Sequence, residues 1–229
     1  MRVNLPFLLF ALLLLWFPRQ WMRLGKAFWN QRKRRSEGMT RREEEPWHTS
    51  EPGDPAVGFR DEFGKIRNYV DLLRGAAGSL SVMGGLGIDP CITLPPEPTG
   101  LMLGEYFAVQ VAILLGGLLV QTVRHERGRY LFFAPIFFLA GLSVGLCGVN
   151  VAGFAFVMIW AVNPMLKNPS VFLMVYAALV GAFAAVFLSL TSLVAIVTVF
   201  FIFLPVLLSA MAQRPLVLFT KKSVRSTRT

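Results

Sequence analysis

Charged side chains are nearly absent from the second half of the sequence. Between Tyr130 and Gln213 there is one, Lys167, and the whole chain is 16% charged, against roughly 25% in soluble domains. An unpaired charge in hydrocarbon costs kilocalories of free energy, so a bilayer favours such a stretch, whereas a water-soluble surface needs charge. The scarcity excludes a soluble protein and predicts an all-α, polytopic membrane protein.

Histidine and cysteine are also scarce, with two of each. His48 and His125 have no HExxH context, so the ligands of a catalytic metal ion are missing. Cys91 and Cys147 lie far apart in the chain, which implies neither a disulfide framework nor a CxxC site. We therefore predict no metal site and no cofactor.

Motifs of the common enzyme classes are missing as well. No GxSxG sequence marks a nucleophile, and no Lys-Ser or Lys-Thr follows the glycines of residues 75–100 to form a phosphate-binding loop. His125 and Glu126 are the one adjacent base and acid beside a hydrophobic block, and a charged turn is the simpler interpretation of that pair. We predict that the protein is not an enzyme.

Positive charge, by contrast, is plentiful: the formal net charge is +10. Without a nucleic-acid fold signature, this excess favours contact with anionic lipid headgroups on the cytoplasmic side over contact with nucleic acid. Segment 19–42 holds nine Lys or Arg residues and one acid, with Trp and Phe at helical spacing. It predicts a basic amphipathic interfacial segment. Its candidates for anionic-lipid contact are Arg32, Lys33, Arg34 and Arg35.

A short hydrophobic run, residues 5–17, stands at the N-terminus and is ended by Pro18. As a helix it would rise about 20 Å, short of the roughly 30 Å hydrocarbon core. The length suits a signal peptide, but no small-x-small cleavage site follows. We predict that residues 1–18 form an uncleaved hydrophobic anchor; a half-inserted helix and a cleaved signal are the alternatives.

Residues 43–100 predict a linker that contains one amphipathic helix, at 57–76. Apolar residues recur there at spacings of 4, 3, 4 and 3, which marks one face of a helix. Two heptads are too few for a coiled coil, so we expect this face to lie on the chain's own membrane domain or on a partner subunit. The residues are Phe59, Phe63, Ile66, Val70 and Leu73. The stretch 75–100, rich in Gly, Ser and Pro, predicts a flexible connection.

Three apolar blocks make up the predicted transmembrane domain, 101–213. Block 101–123 is one span, and block 171–212 is long enough for two, with a turn near Ser189 and Ser192. Block 130–161 is longer than one crossing needs, and Gly145, Gly148 or Asn150 could break it. We predict four spans in addition to the N-terminal anchor.

Flanking charge orients these spans. The arm 19–42 and the tail 214–229 are both basic, so both are expected in the cytoplasm, which requires an even number of crossings between them. In this topology the loop 124–129, with its three arginines, lies outside. We predict a cell membrane protein, inner or plasma membrane, with a cytoplasmic C-terminus.

Polar and small residues in the blocks have structural interpretations. Gly141-xxx-Gly145 is a pattern that lets helix backbones approach closely. Gln110 and Gln121, about three turns apart, are expected to bond to neighbouring helices or, as the alternative, to line a polar path with Asn150.

Ionisable groups are too few in the spans for proton transfer or chemistry. We predict a non-catalytic accessory, scaffold or assembly subunit that works with membrane protein partners. The alternative is a small transporter, channel or lipid-handling protein, which would need a polar cavity built from Gln110, Gln121 and Asn150.

Overall fold

The structure is a computed structural model. It describes residues 2–18, 62–126, 129–166, 168–189 and 192–217. The predictions for the basic segment 19–42, including Arg32, Lys33, Arg34 and Arg35, and those for Phe59 and Lys167 lie outside the described residues.

The described part of the chain is mostly helical, which confirms a helical fold. Its six α-helices are α1 Leu5–Trp16, α2 Ile66–Met83, α3 Gly100–Thr122, α4 Ile136–Val162, α5 Pro169–Phe187 and α6 Leu193–Met211. A 3-10 turn at Asn163–Met165 follows α4.

Four of these helices, α3 to α6, are long and apolar enough to cross a membrane. They cover the three predicted blocks, and the turn between α5 and α6 lies at residues 188–192, where the sequence predicts it. The protein is therefore membrane-embedded, and the prediction of four apolar membrane helices after residue 100 is confirmed at the level of length and composition.

Short strands complete the fold and are missing from the all-α prediction. β1 Arg2–Val3 pairs antiparallel with β2 Ile92–Thr93, while β3 Val123–Glu126 forms a hairpin with β4 Arg129–Phe133. β4 also pairs in parallel with β5 Leu216–Val217, after the last helix. These strands are too short to carry a hydrophobic alternation, which explains why periodicity missed them.

The break predicted in block 130–161 occurs at Gly148, whose φ of 82° is a left-handed conformation that glycine adopts without strain. Beyond it, α4 folds back along itself. The ring of Phe137, at the start of the helix, lies 5.6 Å from Phe156 and 5.9 Å from Trp160. In a straight helix these positions would be roughly 30 Å apart, so α4 is a helical hairpin.

Helix α2 begins at Ile66 and ends at Met83, seven residues beyond the predicted end of the helix at 76. The prediction of a flexible stretch from residue 75 is wrong over 75–83, because its glycines are close-packing positions. A Cβ on Gly75 would overlap the carbonyl oxygen of Phe138, and one on Gly78 would lie 2.7 Å from the Leu15 side chain. Only glycine lets α2 sit this close to α4 and α1.

Gly141 and Gly145 supply the matching surface on α4. A Cβ on Gly141 would overlap the carbonyl oxygen of Leu72, and one on Gly145 would overlap Ser79. Ser79 also donates a hydrogen bond to the carbonyl oxygen of Gly141 at 3.3 Å. The predicted close-packing role of this glycine pair is confirmed, and its partner is α2.

Candidate functional site

The C-terminal end of α1 is closed by side chains from two other helices. A 12-residue helix leaves its last carbonyl groups without intrahelical partners. Arg74 of α2 donates from Nε to the Leu14 carbonyl oxygen at 3.0 Å and from its guanidinium to that of Phe17. Gln121 of α3 donates from Nε2 to the oxygens of Leu15, at 3.2 Å, and Phe17, at 2.9 Å.

Asp71 completes this group, which we call the α1 cap: Asp71, Arg74 and Gln121. The Asp71 carboxylate accepts a hydrogen bond from Arg74 at 3.4 Å, and the side chains of the pair are 5% and 9% exposed. An ion pair so deeply buried is stable only when its remaining hydrogen-bonding groups are satisfied. The carbonyl oxygens of α1 provide that satisfaction, so cap and helix depend on each other.

Gln110, also on α3, donates to a carbonyl group at the C-terminal end of α2, as Gln121 does at the C-terminal end of α1. Its Nε2 donates to the carbonyl oxygen of Val82 at 2.7 Å, and the side chain is buried. The predicted hydrogen-bonding role of Gln110 and Gln121 is thus confirmed, and both residues act on helix ends. Asn150 is exposed beside the Gly148 break and does not join them, so the three residues form no common cavity.

A second polar group lies just before α2. The Asn68 amide donates at 2.6 Å to the carboxylate of Glu62 and at 2.8 Å to its carbonyl oxygen, and Lys65 pairs with the same carboxylate. Glu62 and Asn68 are both buried. These bonds tie residues 62–65 to the first turn of α2.

Phe63 of the predicted apolar stripe packs inward. Its ring lies 4.9 Å from Trp160 and 5.4 Å from Phe137, both edge to face. Trp160 in turn lies 5.2 Å from Phe172 at the start of α5. This aromatic cluster joins the two arms of the α4 hairpin to α5 and to the segment that leads into α2.

The other stripe residues that the structure describes, Ile66, Val70 and Leu73, face away from the protein. Ile66 is 81% exposed, Leu73 is 67% exposed, and Val70 lies between them on the same face. The expectation that the stripe lies on the chain's own membrane domain is wrong for these three positions. The physical reason is that Asn68, Asp71 and Arg74 point inward from α2 and make buried hydrogen bonds there. The apolar face of α2 is therefore left on the outside.

A cavity of about 370 Å³ opens between α1, α2 and the loop after α2. Phe7 and Phe10 contribute apolar walls, and Asn4, Ser81 and Asp89 contribute polar atoms. The Ser81 hydroxyl is already bonded to the Ala77 carbonyl oxygen. Among the described residues, no group of three or more His, Cys, Asp or Glu side chains could hold a metal ion.

The arrangement has no match among known proteins. No protein-family model matches the chain, and no curated protein or solved structure shows significant similarity to it. The function is therefore argued from the contacts of the chain itself.

Arg74 and Asp71 are the residues that sequence reasoning missed as a site. The sequence places them outside the apolar stripe, where charged residues normally face water. The available signal was their spacing of three positions, typical of an ion pair within a helix. Nothing in the sequence connects that pair to an α1 helix almost sixty positions away.

Proposed function

We propose that this chain is a non-catalytic integral membrane protein, an accessory, scaffold or assembly subunit of a membrane complex. The observation that supports this most directly is the use of its buried polar side chains. Arg74, Gln110 and Gln121 all donate to carbonyl groups of helix ends. Groups engaged in holding helices together are not available to bind a substrate, so what the protein offers is its shape and its outer surface.

The surface for a partner, in this proposal, is the outward face of α2 formed by Ile66, Val70 and Leu73. Its occupant is an apolar helix of a neighbouring membrane subunit. The adjoining Tyr69 is 42% exposed and adds a phenol to the face, and aromatic residues of this kind are enriched where proteins contact each other.

The location proposed for the protein is a cell membrane, inner or plasma membrane, with a cytoplasmic C-terminal tail and anionic lipid around the basic arm 19–42. The N-terminal helix is proposed as an anchor that stays attached. Support comes from its burial, since Ala11 and Leu15 are completely inaccessible and the α1 cap needs the Leu14 and Phe17 carbonyl groups. Removing α1 would leave Arg74 without those acceptors.

Site-specific photo-crosslinking tests the partner surface. A benzophenone amino acid replaces Leu73 in one variant and Val186, 78% exposed on α5, in the control. Crosslinking runs in cells, and purification follows in mild detergent. The proposal expects a discrete protein adduct at position 73 and none at 186. Lipid adducts alone at both positions, with a monomeric purified protein, would end the subunit proposal.

A second function, a small transporter, channel or lipid-handling protein, is favoured by one observation. The helix α4 is discontinuous at Gly148, and broken helices form substrate sites in transporters. Liposomes that contain the purified protein and a pH-sensitive dye, tested for proton and potassium flux, address the channel form. Flux that is abolished by Gly148→Ala and retained by Gly153→Ala would replace the subunit proposal with this one.

A further inference from the structure

The direction of each helix can be followed from end to end through the contacts. The start of α4 and its end are neighbours, because Phe137 contacts Trp160. The α5 helix also begins there, because its Phe172 contacts Trp160. The α6 helix ends there, because β5, which follows it, pairs with β4. Segments 123–126, 129–133, 163–166 and 212–217 therefore share one end of the bundle, which we call the sheet end.

The other segments complete the assignment. Gln121, next to β3, bonds to Phe17, so α1 finishes at the sheet end. Phe63 contacts Phe137, so α2 starts there. The far end holds β1, β2 and the loop 84–99, tied together by the bonds Asn4 N–H to Cys91 oxygen and Cys91 N–H to Ser81 oxygen, both 2.8 Å.

This geometry changes the number of crossings. Each arm of the α4 hairpin rises only about 20 Å, less than the roughly 30 Å hydrocarbon core. The chain enters α4 from the sheet end and returns to it, so α4 is re-entrant. The other five helices, α1, α2, α3, α5 and α6, run from one end to the other. Non-helical backbone such as Gly148 is tolerated at membrane depth when protein surrounds it.

The two ends differ in charge. At the far end, segments 2–4 and 84–99 hold one basic residue, Arg2, against two acidic ones, Asp89 and Glu97. At the sheet end, segments 123–126, 129–133 and 212–217 hold three arginines and one acid.

In the predicted four-crossing topology, loop 124–129 and the tail lie on opposite sides. The arginines of the loop are then outside the cell, against the rule that basic residues favour the cytoplasmic side. With α4 re-entrant, both lie on one side and the conflict disappears.

A surface patch of three residues marks this end: His125, Tyr130 and Arg214. Arg214 donates to the carbonyl oxygen of Tyr130 at 3.2 Å, and the His125 ring lies 4.9 Å from the Tyr130 ring. His125, Tyr130 and Arg214 are exposed. Basic side chains beside an exposed tyrosine are typical of the membrane–water interface, where the ring sits at headgroup level.

We infer that α4 is a re-entrant hairpin, that the sheet end is the cytoplasmic face of the protein and that this patch binds anionic phospholipid headgroups. The inference does not depend on the proposed subunit function, since it concerns only the orientation in the membrane. It does make the loop 124–129 and the C-terminal tail neighbours on the same side.

Cysteine accessibility in oriented membrane vesicles tests the orientation. His125→Cys and Ala212→Cys report on the sheet end, and Glu97→Cys on the far end; all three positions are exposed. The native cysteines are buried, and burial raises the pKa of the Cys91 thiol, so less of it is the reactive thiolate. Unmodified protein measures that background.

The inference expects a membrane-impermeant maleimide to label positions 125 and 212 only from the cytoplasmic side and position 97 only from the opposite side. Labelling of 125 and 212 from different sides would make α4 a full span and overturn the inference. Labelling of both from outside would also overturn it, because the orientation would be reversed.

Melting in lipid nanodiscs tests the headgroup contact. Phosphatidylglycerol should raise the Tm above that in phosphatidylcholine, and Arg214→Gln should lose about 2–4 °C of that gain. Arg2→Gln at the far end should keep the gain. Inorganic phosphate added to phosphatidylcholine discs should not reproduce it. An equal Tm in both lipids, or an equal loss in Arg2→Gln, would contradict the proposed patch.

Discussion

Helices α2 and α6 have nearly the same length, 18 and 19 residues, and opposite constructions. The α6 helix is apolar throughout and is recognisable as a span from composition alone. The α2 helix carries Asn68, Asp71 and Arg74 on its buried face and Ile66 and Leu73 on its outer face. The comparison teaches that a helix can be a central part of a membrane-embedded bundle without being apolar, if the bundle itself supplies partners for its polar groups.

The largest expected effect comes from removing the central cation of α2. Arg74→Ala would remove the ion-pair partner of the buried Asp71 carboxylate and the donor to the Leu14 carbonyl oxygen, at a cost of about 3–5 kcal/mol in the free energy of unfolding. Thermal unfolding in detergent measures it. Arg214→Ala, at an exposed arginine, is the control and should change stability by less than about 0.5 kcal/mol. A similar loss in both variants would mean that the α1 cap contributes no more than a surface contact.

The sequence predicts α6 as a span, and it predicts a helix that overlaps α2 but with the wrong face turned inward, for the same physical reason. Hydropathy reports the average hydrophobicity of a segment, and α6 is hydrophobic on all sides, whereas the packing of α2 depends on which face each residue occupies.

The same limit applies to the two glutamines of α3. That Gln110 and Gln121 bond to neighbouring helices follows from the cost of an unpaired amide in an apolar block. Their partners, Val82 and Leu15, follow only from the tertiary fold.

The fold of α4 was predictable in part. Gly148 was recognised as a possible break because a block of 32 residues is too long for one span, but length cannot distinguish a kinked span from a hairpin. The contact of Phe137 with Trp160 decides between them. The side inferred for β3 depends on this choice, because a hairpin returns the chain to the end from which it entered.

The next effect tests how closely α2 and α4 approach. Gly141→Ala would place a methyl group against the Leu72 carbonyl oxygen and force the helices apart, at a cost of about 1–3 kcal/mol. Gly153→Ala, in the second arm of α4, has no atom within 4 Å of the added Cβ and should be neutral or slightly stabilising. Comparison of the two melting temperatures checks the contact; equal values would indicate that α2 and α4 do not touch at this glycine.

A smaller loss is expected at the turn of the hairpin. Gly148→Ala meets no neighbouring atom, so its cost is only that of holding an alanine at a φ of 82°, about 1–2 kcal/mol. Chemical denaturation in detergent can resolve a change of this size. A variant as stable as the parent protein would show that the backbone at 148 is ordinary helix, and α4 would then be a straight span.

The smallest effect is expected on the outward face of α2, which is compared with a buried position on the span α3. Leu73→Ala removes an outward side chain that is 67% exposed, and in detergent it should change the free energy of unfolding by less than about 0.5 kcal/mol. Leu118→Ala on α3 removes one that is completely buried and should cost about 2–5 kcal/mol, because a cavity remains. Melting curves of the two variants measure both losses of stability. If Leu73→Ala were as damaging as Leu118→Ala, the apolar stripe would be part of the core, and α2 would be built like α6 after all.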